Sequence, residues 1–148
     1  MRGEKLKKNY TILSVEDNEA DFLLIEKALK KIKDLDLNII NVKDGKEAID
    51  FVKKKGQFSE ALTPDLIILD LYIPKISGLE VLKRLKTDEK YKMIPIVIYT
   101  SSISKEDIKK SYSTYANSYI NKSYDLKELY RKIDKMGKYW LETVTMPE

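Results

Sequence analysis

Residues 64–82 read PDLIILDLYIPKISGLEVL and contain the pattern of one strand followed by one helix. Residues 66–69 are apolar at every position, which is typical of a strand covered on both faces of a parallel sheet. Asp70 follows this strand directly, and Ser77 is followed three residues later by Glu80, a pair that caps the start of a helix. The stretch therefore predicts a buried parallel strand that ends at a carboxylate.

The same alternation of strand and helix extends along the whole chain. Apolar runs predict further strands at residues 10–15, 37–42, 96–99 and 118–120. Apolar residues three and four positions apart predict helices at residues 19–32, 45–55, 78–87, 105–115 and 126–141. Each helix starts with a capping residue and an acid three positions later: Asn18 with Asp21, Asp44 with Glu47, Ser77 with Glu80, Ser104 with Asp107, and Asp125 with Glu128.

Alternating strands and helices predict a parallel sheet, because parallel neighbours need a crossover and right-handed crossovers place helices on both faces. The predicted fold class is therefore a three-layer, doubly wound α/β domain. With 148 residues, the chain has room for one such domain over residues 1–148, with a core at about 10–141. Too few residues follow the fifth helix for an output domain, so none is expected.

Composition excludes several kinds of chemistry. The chain has no cysteine and no histidine, which excludes thiolate zinc sites, disulfides and histidine-based triads. The net charge of +4 is small and opposite charges are interspersed, so we expect no nucleic-acid partner. There is no signal peptide and no apolar run long enough for a membrane span, so we predict a cytoplasmic protein with no membrane partner.

Polar side chains stand where the predicted strands end. Glu16 and Asp17 follow the first strand, Asp70 the third, Thr100 the fourth and Lys122 the fifth. Ligands of such sheets bind beyond the carboxyl ends of the strands, where the strand order reverses. If the first and third strands are neighbours, three carboxylates converge there.

Three carboxylates in one cleft repel one another, so the cluster either holds protons or binds a cation. Oxygen ligands favour Mg²⁺ or Mn²⁺, with Ca²⁺ less suited to an irregular pocket with few carboxylates. A lysine on the opposite side would neutralise the third charge. The residues then predict a place for an anionic group beside a metal ion.

These motifs resemble the receiver domains of two-component response regulators over about residues 11–139. The resemblance rests on ILSVEDNEAD at 12–21, PDLIILDLYIPKISGLEVL at 64–82, IPIVIYTSS at 94–102 and YINK at 119–122. Within that family the chain looks most like the small stand-alone regulators that partner bacteriophytochromes, because of SYSTYANSYINKS at 111–123 and KYWLETVTMP at 138–147.

The resemblance implies a flavodoxin-like sheet of order 2-1-3-4-5 and a role for each residue at the strand ends. Asp70 would be the phosphoacceptor, with Lys122 and Thr100 contacting the phosphoryl oxygens. Mg²⁺, or Mn²⁺ in its place, would be held by Asp17, Asp70 and the backbone carbonyl of Tyr72, and by Glu16 through a metal-bound water. Tyr119 would be a switch residue that swings inward when Thr100 moves; the alternative is a half-buried packing tyrosine.

The phosphoryl donor in this family is a phosphohistidine, which a chain without histidine cannot supply. The resemblance therefore implies a separate sensor histidine kinase as partner, phytochrome-like if the subgroup is right. Aromatic residues concentrate around the fourth helix, fifth strand and fifth helix: Tyr112, Tyr115, Tyr119, Tyr124, Tyr130, Tyr139 and Trp140. We predict that this face binds a partner or a second copy of the chain, the alternative being that the rings cover the core.

The resulting hypothesis is a phosphoacceptor signalling domain that is not an enzyme beyond catalysing its own phosphorylation and dephosphorylation. Two alternatives remain at this stage. One is a phosphatase of the haloacid dehalogenase type, although the Asp-x-Asp element that such enzymes carry after the first strand is missing. The other is a pseudo-receiver, a binding module that works without phosphorylation.

Overall fold

A computed structural model of the chain describes residues 7–147. The five strands of its sheet are β1 (Lys8–Val15), β2 (Leu35–Val42), β3 (Leu66–Leu69), β4 (Ile96–Thr100) and β5 (Ser118–Asn121). The helices are α1 (Glu19–Lys30), α2 (Gly45–Lys53), α3 (Gly78–Lys86), α4 (Lys105–Ser113) and α5 (Leu126–Lys138). A short 3-10 turn spans Gly56–Phe58, and a π-helical turn, Tyr139–Thr143, continues α5.

The strands pair in parallel in the order β2-β1-β3-β4-β5, which confirms the predicted topology. In the register of the sheet, Val15 pairs with both Val42 and Leu69, and Leu69 pairs with Ile98. At the end of β4, Thr100 pairs with Asn121. The carboxyl ends of β1, β3, β4 and β5 therefore lie along one edge of the sheet.

Two apolar cores cover the two faces of the sheet. Alternate strand residues enter opposite cores: Ile12 and Ile68 pack on the side of α1 and α5, whereas Leu13 and Ile67 pack on the side of α2 and α3. All residues of β3 are buried, which confirms the prediction of a strand covered on both faces. Helix α4 lies beside α3 on the second side.

All five predicted helix caps are present. The side chain of each capping residue accepts a hydrogen bond from a backbone N–H in the first turn of its helix. In four helices the donor is the backbone N–H of the acid three positions on, as with Asp21 in α1, and Asp125 in α5 accepts from both Lys127 and Glu128. The caps therefore fix the residue at which each helix begins.

Helix ends depart from the prediction by one to three residues. Helix α2 ends earlier than predicted because Lys54 adopts the left-handed conformation with φ 57°, and Tyr115, beyond the end of α4, does the same with φ 70°. The predicted last helix changes to a π-helical turn at Tyr139. Leu126, in the first turn of α5, is 69% exposed and lies outside the apolar core.

Among residues 7–147, no helix combines the length and the apolar character needed to cross a bilayer.

Candidate functional site

Three carboxylates converge where β1 and β3 end. Glu16 and Asp17 follow β1, Asp70 follows β3, and one oxygen from each lies within 4.8 Å of the others. Glu16 and Asp70 are buried, whereas Asp17 is exposed. The three acids offer only oxygen ligands, which suit a divalent cation such as Mg²⁺ or Mn²⁺. The structure therefore brings the three predicted carboxylates together.

Lys122 reaches into the cluster from the end of β5. Its Nζ lies 2.7 Å from Glu16 Oε1, 2.8 Å from Asp21 Oδ2 and 2.9 Å from Asp70 Oδ2. The ammonium also lies 5.2 Å from the ring centroid of Tyr99, a buried residue of β4. Lys122 is thus the counter-ion of three carboxylates at once.

Asp21 is a member of the site that the sequence analysis missed. Its backbone N–H donates to the side chain of the capping residue Asn18, and Asp21 was therefore assigned only to the start of α1. Its side chain nevertheless bonds Lys122. Helical spacing gives no signal for this contact, because Asp17 precedes the capping residue and lies outside α1.

Burial raises the pKa of the Glu16 carboxyl to about 7, although the hydrogen bond and the charge of Lys122 act in the opposite direction. Burial alone would lower the pKa of Lys122, but hydrogen bonds to its three carboxylates raise it above its usual range. The ammonium therefore stays charged. The carboxylates still carry more negative charge than Lys122 neutralises, and a bound divalent cation would stabilise them.

Thr100 and Tyr119 are both hydrogen-bonded to Ser102, in the segment that follows β4. Thr100 is buried at the end of β4, and its Oγ1 accepts a long hydrogen bond of 3.5 Å from Ser102 N–H. Tyr119 of β5 is half-buried, and its hydroxyl donates to the Ser102 carbonyl at 2.8 Å. The hydroxyl of Tyr119, the predicted switch residue, is thus hydrogen-bonded to Ser102, two positions after Thr100.

Tyr72 follows Asp70 by two positions, and its backbone N–H donates to Asp70 Oδ1 at 3.3 Å. Its ring is 65% exposed. Its hydroxyl donates to Asp107 Oδ2, in the first turn of α4, at 2.5 Å. The family resemblance implied a role only for the backbone carbonyl of Tyr72, and no sequence pattern predicted the contact between its side chain and Asp107.

Gly78, at the start of α3, holds the segment after β3 close to the helix. Its N–H donates to the Leu71 carbonyl at 2.9 Å, and a Cβ added at this position would overlap the backbone carbonyl of Asp70. We therefore expect Gly78→Ala to lower the free energy of unfolding by about 3 kcal/mol and to displace Asp70. Urea unfolding measures the loss.

Gly56→Ala is the matched control, because a Cβ at Gly56 would contact nothing within 4 Å and the only cost is its φ of +58°. This variant should lose about 1 kcal/mol. Equal losses in the two alanine variants would contradict the argument from contact with Asp70.

An oxygen-lined cluster at the reversal point of a doubly wound sheet, with a lysine across it, defines a class of α/β protein built to hold a divalent cation and an anionic group together. The response regulator receiver domain family matches residues 12–134, and the chain belongs to this family. It is therefore a two-component signalling domain and not a classical enzyme, which leaves no basis for the phosphatase alternative.

Similar proteins agree with this family in sequence and structure. The response regulator Rcp1 of Synechocystis sp. is 39% identical over 136 residues, which cover 92% of each chain. The crystal structure of the phosphorylated cyanobacterial phytochrome response regulator RcpA superposes with a TM-score of 0.91 at 39% identity, covering 95% of this chain and 99% of that one. The Mn²⁺-bound form of Rcp1 gives a TM-score of 0.91 at 38% identity, covering 94% and 99%. The resemblance to phytochrome-type regulators is thereby confirmed.

Proposed function

We propose that the chain accepts a phosphoryl group on Asp70 in the presence of Mg²⁺ and signals through the change that follows. The observation that carries this proposal is the convergence of Glu16, Asp17 and Asp70 with Lys122, whose ammonium is bonded to an acid 106 positions away in sequence. A structural ion pair would need only one carboxylate. A cluster with excess negative charge is suited to bind a cation, and a bound cation would in turn attract the anionic phosphoryl group.

Each residue has a distinct part in this proposal. An oxygen of the Asp70 carboxylate forms the new P–O bond while the P–N bond to the donor histidine breaks. Asp17, Asp70 and the Tyr72 carbonyl would hold Mg²⁺, and Glu16 would act through a bound water. When bound, the ion offsets the repulsion between the carboxylate and the incoming phosphoryl group.

Lys122 and Thr100 would stabilise the product. The Lys122 ammonium already donates a hydrogen bond to Asp70 Oδ2. It therefore lies beside the carboxylate group that would carry the phosphoryl group. Within residues 7–147, the one hydrogen bond to Thr100 Oγ1 is the long bond from Ser102 N–H, so its hydroxyl proton can be donated to a phosphoryl oxygen. Tyr119 would respond through Ser102, whose carbonyl its hydroxyl contacts.

The proposed partner is a sensor histidine kinase that supplies the phosphoryl group. Relatives whose names refer to phytochromes support a phytochrome-like kinase. We further propose that the chain acts as a stand-alone receiver in the cytoplasm, without nucleic-acid or membrane partners.

The signal would leave through the face formed by α4, β5 and α5. A groove of about 760 Å³ lies between β5 and α5, and Met136, Tyr139 and Trp140 are among its lining residues. Tyr112 and Tyr115 line a second groove with Met93, and Asn117 lines both grooves. Binding of a second copy at this face is the proposal that the first groove supports.

Sedimentation should detect this association. With Mg²⁺ and beryllofluoride we expect a shift from monomer to dimer, because loading the site favours one arrangement of the α4, β5 and α5 face. The protein without beryllofluoride is the control. A monomer in both states at high concentration would count against self-association and leave only a different partner for this face.

The decisive test of the proposed function is incubation with Mg²⁺ and acetyl phosphate, followed by intact-mass and peptide mass spectrometry. We expect one added phosphoryl group, located on Asp70, and no addition when Mg²⁺ is removed with a chelator. Absence of both Mg²⁺ binding and phosphoryl uptake would instead identify a phosphorylation-independent pseudo-receiver.

A further inference from the structure

The Tyr72 side chain links the segment after β3 to α4. Its hydroxyl donates to Asp107 Oδ2 at 2.5 Å, between residues 35 positions apart in sequence. We propose that this hydrogen bond is a positioning contact: it couples the ion-binding segment after Asp70 to the first turn of α4. The inference rests on the proposed function, because it assigns a means of regulation to the same site.

The contact is not a by-product of helix capping. Helix α4 is capped by Ser104, whose Oγ accepts from the backbone N–H of Asp107 at 3.3 Å. The N–H of Ser104 is satisfied by Ser102 Oγ at 3.2 Å, so the Asp107 carboxylate is not needed there. Oδ2 of this carboxylate instead accepts from the hydroxyls of Tyr72 and Ser102.

Asp107 Oδ2 accepts two hydroxyl protons. Ser102 Oγ donates to it at 2.6 Å and the Tyr72 hydroxyl at 2.5 Å. The hydrogen bonds from Ser102 and Tyr72 lower the pKa of the Asp107 carboxyl, and the same contact raises the pKa of Tyr72. Both donors therefore face an ionised acceptor, for which hydrogen bonds are shorter and stronger than between neutral groups.

The network continues from Asp107 to the switch tyrosine. Ser102 contacts Asp107 through its hydroxyl, and its carbonyl accepts from Tyr119 Oη at 2.8 Å and from Asn121 Nδ2 at 3.2 Å. Ser102 also follows Thr100 by two residues. One unbroken set of hydrogen bonds thus joins Tyr72, α4 and β5.

This geometry has a thermodynamic consequence. The Tyr72 carbonyl is proposed as an ion ligand, so an ion that fixes this residue also fixes the position of its hydroxyl against Asp107. A ligand that moves α4 must, by the same linkage, change the affinity of the site for the ion. Tyr72 and Asp107 are accordingly positioning residues. Tyr72 acts on the ion through its backbone carbonyl, and Asp107 transmits the effect to α4.

The test compares Tyr72→Phe with the unaltered protein in two measurements, Mg²⁺ titration by calorimetry and backbone amide NMR shifts. We expect Tyr72→Phe to weaken Mg²⁺ binding by about three- to tenfold, because the segment that carries the Tyr72 carbonyl is no longer held in place before the ion binds. The Mg²⁺-induced shifts of the amides at residues 105–108 should also fall. A side chain that merely supports the fold would not change this selective response of α4.

Tyr91→Phe is the matched control, since it removes the same hydroxyl from a residue between α3 and β4, near the amino end of β4 and away from the acids. It should leave both measurements unchanged. Asp107→Ala removes the acceptor of the Tyr72 hydroxyl and should weaken Mg²⁺ binding at least as much as Tyr72→Phe. The double variant should be no worse than Asp107→Ala alone, because the contact with Tyr72 is already lost in that variant.

The outcomes separate the two proposals. If the unaltered protein binds Mg²⁺ and takes up a phosphoryl group, but Tyr72→Phe matches it in affinity and in the α4 response, the coupling inference is wrong and the proposed function stands. Additive effects of Tyr72→Phe and Asp107→Ala would also overturn it. If the unaltered protein binds no Mg²⁺, the proposed function fails and the inference fails with it.

Discussion

Asp70→Asn should lose all phosphoryl uptake from acetyl phosphate and from a phosphorylated kinase while keeping its fold. An amide nitrogen or oxygen is a poor nucleophile towards phosphorus, so the new P–O bond cannot form. The substitution keeps the shape of the side chain, and its amide oxygen can still accept the Tyr72 N–H that Asp70 Oδ1 accepts. Peptide mass spectrometry measures incorporation, and circular dichroism measures the fold.

Asp36→Asn is a suitable control, because Asp36 is an exposed residue of the edge strand β2 and its charge change is the same. This variant should take up phosphoryl groups like the unaltered protein. Stable incorporation into Asp70→Asn would mean that the acceptor is a different residue.

Lys122→Ala should destabilise the metal-free protein strongly. It leaves Glu16, Asp21 and Asp70 without the ammonium that they share, and two of these acids are buried. Removing one partner from a buried ion pair typically costs about 3–5 kcal/mol, and Asp21 is partly open to water, so we expect a loss of about 3 kcal/mol in the free energy of unfolding. Chemical denaturation with a chelator present measures this loss.

The same variant should bind Mg²⁺ more tightly than the unaltered protein, because the ammonium and the ion compete for the same carboxylates. Added Mg²⁺ should therefore restore part of the lost stability. Phosphoryl uptake should persist, but the response of the α4, β5 and α5 face should be lost. Lys127→Ala, an exposed lysine in the first turn of α5, is the control. Weaker Mg²⁺ binding in Lys122→Ala would contradict the competition argument.

Features set by short-range sequence could be predicted well. Each helix start depends on a side chain and a backbone N–H within three positions, and all five starts are found as predicted. The apolar run of β3 indicated burial on both faces, and that burial fixes the central strand of the sheet. Helix ends were less accurate, because residues such as Lys54 end a helix in the left-handed conformation without the glycine that usually signals it.

Contacts between distant side chains could be predicted only where each residue had no local explanation. Lys122 and the acids at the strand ends stood out for this reason. Asp21 and Asp107 both belong to capping pairs, and this assignment hid their second contacts, to Lys122 and to Tyr72. A residue that satisfies one local rule can still have its side chain committed elsewhere, and spacing alone does not reveal it.

The wide separation of Lys122 from Glu16 also affects how the chain assembles. A ribosome makes the acids that follow β1 and β3 before the lysine that follows β5, which lies 106 positions after Glu16 and 52 positions after Asp70. A nascent chain that has folded its first strands therefore holds mutually repelling acids without the lysine that contacts them in the folded domain. We expect cellular Mg²⁺ to serve as a temporary counter-ion at that stage, so that the ion assists biogenesis before it takes part in signalling.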